Sequence, residues 1–503
     1  MEIRRLENSK RNMIFGLVNR GTLILFPFLN RTVLLYVLGQ GYLGLNGLFS
    51  SILNVLSLTE LGFGSALVFC MYKPIAQNDE QTICVLLNLY KKIYRCIGAL
   101  ISVFGIMLLP FLNVLIEGEI PDGVNIYVIF CIQLLDTVLS YFLFAYKSAL
   151  LSAFQREDII SRITMVVTIC QYSIQFVIVY LFHNYYLYLI ITPIMTIARN
   201  IWQCLMVNRM FPCYVCKGSP EKEQIRVLMS KVKALFMHKV GGIIANSLDN
   251  IVVSAFLGLS MVAVFGNYMY IYTSVMGLMN VFYTSILAGV GNSMVCENVE
   301  KNYKNFIQVN LINLWMTGWC SITILCLYQP FMKLWAGNGL LLQQSTVILL
   351  IVYFYINMSR RIVVVYRDAA GIWEKDRFVP LISGVVNVVL NIILIQVIGI
   401  NGVVISTMIA FMVVEIPWQL RALYLSYFQG YHVGEYIKIQ MWFAVVTVFV
   451  GAITYNVVSF VQATGMKELI VNSAICIVLP NIFYVIVCGR QFRFILNYLK
   501  RRV

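Results

Sequence analysis

Charge is what this sequence lacks. Only 12% of its 503 residues are Asp, Glu, Lys or Arg, while 60% are hydrophobic. An ordinary soluble domain carries about 25% charged residues and about 45–50% apolar ones. A chain this poor in charge cannot cover a water-facing surface, so a soluble globular protein is excluded. Strict alternation of polar and apolar residues is missing too, which excludes a transmembrane β-barrel. The apolar run behind the polar start Met1–Arg11 is too long for a signal-peptide core and has no small-residue cleavage site, so it reads as a retained first span. No Gly-x-x-x-x-Gly-Lys-[Ser/Thr] stretch is present, which removes ATP hydrolysis by that route. The thirteen cysteines scatter through apolar runs rather than forming a disulfide framework. Cys213-x-x-Cys216 lacks the two further ligands that a zinc site needs, so no metal is expected.

What is present is a series of long apolar runs. A spanning helix needs about 20 mostly apolar residues, and windows of that length number about fourteen. They fall at 13–38, 43–70, 93–116, 124–150, 160–182, 185–207, 234–258, 262–290, 307–330, 345–366, 379–399, 402–425, 439–462 and 469–489. The expected fold is an all-α polytopic membrane protein.

The net charge of +15 would suggest a nucleic-acid partner on a soluble chain, but its distribution explains it otherwise. With the N-terminus inside, the inner loops receive Lys73, Lys91, Lys92, Arg95, Arg156, Arg162, Arg209, Lys217, Lys222, Arg226, Lys301, Lys304, Arg367, Lys375, Arg377, Lys438 and the basic tail. The outer loops receive Lys333 and Lys467, and one of them holds the acids Glu117, Glu119 and Asp122. This is the positive-inside pattern, with both termini cytoplasmic and no nucleic-acid partner.

The chain also repeats itself. A shift of 219 residues lays Val33, Leu38, Gly39 and Gly47 on Val252, Leu257, Gly258 and Gly266, and Asn30 on Asp249. The span pattern repeats as well: two long helices joined by a tight outer turn, then an amphipathic segment, about 73–92 and 294–306. Two six-helix lobes are expected, 1–216 and 217–430, joined by the basic loop 209–233 and followed by two extra helices in 431–503. The repeats run parallel, which predicts a cavity between the lobes.

A charge at the bilayer centre costs about 2.5–3.5 kcal/mol, so each intramembrane charge is a candidate for function. Arg20 and Arg31 lie eleven residues apart, about three turns and about 16 Å along one face of the first span. Asn30 adjoins Arg31, and Pro27 is placed to act as a hinge. The alternative for both arginines is snorkelling to the two interfaces. Arg360, Arg361 and Lys239 are further anion ligands or inner-end anchors. Asp249 either pairs with a base or binds a cation. Glu60 reads as a clamp on an arginine across the first two spans, and Asp136 and Lys147 in the fourth span are charge-pairing or ion-coupling candidates. Arginine offers planar bidentate recognition of phosphate, so the substrate inferred is anionic, a phosphate ester by chemistry. No cofactor is expected, and coupling to Na+ or H+ through Asp249 or Glu60 stays open.

The stretch Arg31–Phe49 (RTVLLYVLGQGYLGLNGLF) resembles the opening of Wzx-type polysaccharide flippases. Leu58–Ala66 and Tyr72–Ala76 resemble that family's second span and its exit. The run Tyr366–Gly371, Asn387, Asn391 and Gly399–Thr407 are similar to its spans ten to twelve, although Val404 to Thr407 lacks the Gly that members often carry before the Thr. The resemblance covers nearly the whole chain in order. It implies the multidrug/oligosaccharidyl-lipid/polysaccharide exporter superfamily, whose fold is a V-shaped pair of six-helix bundles like that of the multidrug exporters. It also implies a bacterial cytoplasmic-membrane flippase that moves undecaprenyl-diphosphate-linked oligosaccharide outward for cell-surface polysaccharide synthesis. Partners would be the lipid-linked oligosaccharide, membrane lipids, and a polysaccharide polymerase with its associated machinery. Arg20 and Arg31 match the first-helix arginines that related peptidoglycan lipid flippases place in the cavity. The rivals are a cation-coupled drug antiporter of the same fold and a membrane-embedded polymerase. The polymerase would need a sizeable outer loop, whereas the longest one expected here is about 330–345. No enzymatic activity is expected.

Overall fold

The computed structural model describes residues 5–60, 63–118, 120–121, 123–220, 222–372, 375–461 and 463–489. Among these there are helices and no strands. The basic tail, Glu119 and Asp122 lie outside the described residues.

The chain divides into two compact units, Met1–Ala263 and Val264–Val503. The first begins with α1 (Arg5–Val37), α2 (Gln40–Leu56), a 3-10 turn (Ser57–Glu60), α3 (Phe63–Ala76) and α4 (Glu80–Leu108). It continues through α5 (Ile126–Phe142), α6 (Ser148–Ala153), α7 (Glu157–Phe182) and α8 (Tyr185–Met210). The helical stretch α9 (Lys222–Cys296) turns a corner at Gly258 and runs into the second unit. That unit holds α10 (Val299–Ala336), α11 (Gln344–Ser359), α12 (Arg361–Ala369), α13 (Val379–Ile398), α14 (Ile400–Ile409), a π turn (Ala410–Glu415), α15 (Ile416–Ser426), α16 (Val433–Ser459) and α17 (Met466–Cys488).

Ten of the described helical segments are long and apolar enough to cross a membrane, and α5 with the bent stretch Ala145–Ala153 makes up to eleven. Among the described residues, all fourteen windows fall mainly on helix. Two of them, 234–258 and 262–290, share α9, and 43–70 crosses the break between α2 and α3. Large apolar side chains stay exposed along the outer faces, for example Phe104, Met107, Val445, Val448, Phe449 and Ile486. In water such a surface would drive association, whereas in lipid it is the solvent-facing side. The protein is a multi-pass membrane protein.

Local chemistry sets the helix ends. Asn125, Asn184 and Asn298 accept hydrogen bonds from backbone N–H groups of the first turns of α5, α8 and α10, at 3.0, 3.1 and 2.9 Å respectively. These caps satisfy donors that a helix start leaves unpaired. Gly39 and Gly258, matched by the 219-residue shift, adopt nearly the same conformation, φ 100° ψ 174° and φ 81° ψ 172°. An L side chain is disfavoured there, so the repeated glycines mark the repeated corner.

Four local expectations change. The second span is broken, because Ser57–Glu60 closes as a 3-10 turn between two shorter helices. The joining loop shrinks to 211–221, since α9 already starts at Lys222. The amphipathic segments are not separate elements: their later parts open α4 and α10. The 330–345 connection narrows to 337–343, because α10 continues through Pro330 to Ala336.

In the first unit α1 packs along α7, and α5 along α8. In the second, α10 is central and packs against α11, α16 and α17. The core there is built from Leu314, Ile322, Phe443, Val450, Cys476 and Tyr484. Gly318 lets this crossing close, since a Cβ there would sit 2.0 Å from the Tyr484 hydroxyl.

Candidate functional site

The broken second span has a consequence for Glu60. The 3-10 turn directs its carboxylate at α4 and α5, where Tyr94 donates to Oε1 and Tyr141 donates to Oε2 at 2.6 Å. Tyr90 in turn donates to the Tyr94 hydroxyl at 2.7 Å. The expected arginine clamp on Glu60 is therefore replaced by tyrosine hydroxyls. The carboxylate lines a cavity of about 270 Å³ whose other walls include Tyr94, Tyr141, Thr164, Arg199 and Gln203.

Arg199 was not singled out from the sequence. It sits on α8, half-buried, and among the described residues forms no ion pair with Glu60 or any other carboxylate. It interacts electrostatically with Asp136 on the adjoining α5. The helix pair α5 and α8 thus carries one charge of each sign. An acid in the fourth window and a base in the sixth were the available signal. Lys147 is half-buried in the 3-10 turn after α5 and donates to Asn208.

The leading helix α1 runs without interruption through Pro27. Arg20 is exposed, and among the described residues it has no partner. Asn30 is buried and donates to Tyr188 Oη at 2.7 Å. Arg31 is half-buried, and its Nη2 donates to the Ala263 carbonyl at 3.4 Å. The stretch 249–263 also meets α2: Asn250 donates to Ser51 Oγ at 3.0 Å. A Cβ on Gly44 would lie 2.1 Å from the Leu259 carbonyl oxygen. Asp249 is half-buried in the same region and engaged in its own contacts. The Lys239 side chain lies outside the described residues. The structure thus ties Asn30 to α8 and Arg31 to the stretch 249–263, and Arg20 stands apart on α1, about 16 Å from Arg31.

In the second unit the adjacent arginines diverge. Arg360 occupies the break between α11 and α12 and is 8% exposed. Its Nη1 meets Glu415 Oε2 at 2.5 Å and Gln419 Oε1 at 3.1 Å, and its guanidinium lies 4.2 Å from the Phe411 ring centre. Glu415 also accepts from Ser383 Oγ at 3.0 Å. This charge is neutralised within the fold. Arg361 points elsewhere, donating to Asn280 Oδ1 at 2.9 Å, with the Tyr283 ring centre at 5.5 Å. Among the described residues it forms no ion pair, and its Nε has no acceptor.

Several motif residues hold helices together. Asn387 donates to Thr407 Oγ1 at 2.9 Å, Asn391 donates to Asn387 Oδ1 at 3.3 Å, and Ser406 donates to Asn391. Gly402 faces the Leu394 backbone so closely that a Cβ would be 2.5 Å away, which lets α13 and α14 form this ladder. Arg367 is buried and bridges Asp368 and Asp376 at 2.7 and 2.6 Å, fastening the connection after α12. All thirteen cysteines are free thiols, and the described residues contain no group of three metal-ligating side chains.

The sequence matches no family model and no curated protein. Solved structures match it throughout. The lipid II flippase MurJ, in an inward closed conformation, aligns with a TM-score of 0.69 over 96% of this chain and 99% of its own, at 16% identity. The chain shares the fold of this structure. An inward-facing multidrug resistance MATE family transporter of the MOP superfamily aligns with a TM-score of 0.62 over 79% of this chain and 94% of its own, also at 16% identity. The Vibrio cholerae MATE transporter VcmN gives 0.55 over 84% of this chain and 99% of its own, at 13% identity. The likeness to these structures extends to the all-helical, multi-span architecture, and the charges described above are this chain's own.

Proposed function

We propose that this protein is a flippase of the bacterial cytoplasmic membrane. It carries undecaprenyl-diphosphate-linked oligosaccharide from the inner to the outer leaflet by alternating access, for cell-surface polysaccharide synthesis. The observation that carries this reading is the balance of unpaired charge. Arg20 and Arg361 have no ion-pair partner among the described residues, whereas Arg199 faces Asp136, Glu415 is paired with Arg360 and Glu60 is held by two tyrosines. Guanidinium groups that stay unneutralised inside a membrane fold favour an anion, and their planar donors suit a diphosphate. Arg361 is the proposed head-group ligand within the second unit, and Arg20 is a candidate anion contact within the first, each taken by itself. Arg31, bonded to the Ala263 carbonyl, helps hold the end of the bundle where it lies. An inside-negative potential drives such an anion outward by about 2.3 kcal/mol per charge per 100 mV. Alignment with the lipid II flippase over nearly both whole chains supports the same class of cargo.

A second reading, a cation-coupled exporter, has one observation in its favour: the Glu60 carboxylate opens onto a cavity. Within the flippase reading, Glu60 is the proposed site of Na+ or H+ coupling. The test is complementation of a flippase-null strain by wild type, Arg20→Ala, Arg361→Ala and Glu60→Gln, each checked for membrane expression. The flippase reading expects both arginine variants to fail. If both complement like wild type, these arginines are not head-group ligands; if wild type itself reaches the membrane and does not complement, the anionic cargo is wrong and the cation exporter takes its place.

A further inference from the structure

Where α10 and α16 end and α17 begins, the second unit encloses a cavity of about 350 Å³. Leu325, Cys326 and Val458 give it apolar walls, and Lys333, Glu468 and Asn472 give it polar ones. Lys333 lies in the last turn of α10 and Glu468 in the first turn of α17. The two charges are opposite and share one cavity, yet among the described residues neither forms an ion pair with the other or with a third group. Asn472 lies four residues beyond Glu468, one turn deeper on the same helix face. It is 1% exposed, and its Oδ1 accepts no hydrogen bond. A buried amide oxygen without a donor is rare in a folded protein and points to a missing partner.

We propose that this cavity binds the headgroup of a phospholipid with a primary amine, a phosphoethanolamine zwitterion. Its ammonium has three N–H donors, one for the Glu468 carboxylate and one for Asn472 Oδ1, while the phosphate takes the Lys333 ammonium. A trimethylated amine has no N–H and leaves Asn472 Oδ1 unpartnered, so choline headgroups are discriminated against. The apolar surface at the mouth favours a lipid over a free zwitterion. Val457, Phe460, Met466 and Ile470, which adjoin the lining residues in sequence, are large and exposed and offer contact to acyl chains.

The test is native mass spectrometry of the purified full-length chain with phosphatidylethanolamine, phosphatidylcholine or soluble phosphoethanolamine at equal concentration. Wild type is expected to retain phosphatidylethanolamine about tenfold more than phosphatidylcholine, the ratio that one charge-assisted hydrogen bond supplies. Glu468→Gln and Asn472→Leu should each remove that preference, and Lys333→Ala should lower retention of both lipids alike. Unchanged melting curves certify the variants as folded, and the exposed Lys333 and the rim position of Glu468 make these two substitutions the safer ones. Equal retention of the two lipids by wild type overturns the proposal, as does a preference that survives both α17 substitutions. Binding of soluble phosphoethanolamine as tight as the lipid's overturns the lipid assignment.

Discussion

Replacing Arg360 with Met separates a structural arginine from its functional neighbour. The substitution keeps most of the side-chain volume and strands Glu415, which is held 2.5 Å from Arg360 in a largely buried position. Breaking a buried pair by removing one partner costs about 3–5 kcal/mol. Glu415 retains the Ser383 hydroxyl at 3.0 Å and a long contact from Gln419 at 3.4 Å, which places the loss near the lower end, about 3 kcal/mol. That is about a hundredfold in the folded-to-unfolded ratio. The double variant Arg360→Met/Glu415→Leu removes both charges and should return to within about 1 kcal/mol of wild type, because an apolar replacement of a buried pair is often neutral. Arg361→Met gives up one hydrogen bond to Asn280, about 1 kcal/mol, and should melt nearly like wild type while losing transport. Thermal denaturation in detergent, followed by circular dichroism, reads all three. The reasoning is refuted if Arg360→Met melts with wild type, or if the double variant is no more stable than the single.

Four other substitutions probe other parts of the fold. Tyr141→Phe deletes the 2.6 Å bond to Glu60 and should cost about 1–3 kcal/mol in the same melting assay, since a largely buried carboxylate oxygen loses a donor. Gly44→Val places a Cβ where the Leu259 carbonyl oxygen would be 2.1 Å away, so it should lower expression and melting temperature; Gly47→Ala, with a 3.3 Å approach to Val262, should be far milder. Asn391→Leu removes the centre of the Ser406–Asn391–Asn387 ladder and should cost about 1–3 kcal/mol, leaving neighbours unpaired; an unchanged melting curve would contradict the ladder's structural role.

The spans were legible because hydrophobic run length maps directly onto bilayer thickness, and among the described residues every window fell mainly on helix. The Gly39–Gly258 match was legible because a left-handed corner admits few residues besides glycine. The fate of adjacent arginines was not. Arg360 and Arg361 look alike in sequence, and what distinguishes them is Glu415, a residue on another helix that reaches only the first. Glu60 was singled out as an intramembrane acid, but its tyrosine partners come from α4 and α5, separations that no local pattern encodes. Arg199 was passed over near the inner end of an apolar run. Pairing a lone base in one span with a lone acid in another, Asp136, would have drawn it out. The Asn and Gly positions that carried the family resemblance are packing devices between α13 and α14, and so report on fold more than on cargo.

The central claim, that the unpaired arginines handle an anionic lipid-linked cargo, is tested most directly by reconstitution. Purified protein in liposomes is given a fluorescent undecaprenyl-diphosphate oligosaccharide or, in parallel, a cationic dye, and translocation is followed by accessibility to a reagent outside the vesicle. The account predicts that wild type moves the lipid-linked diphosphate and not the dye, and that Arg361→Ala abolishes the transfer while remaining folded. Transport of the dye with no movement of the diphosphate lipid would contradict it.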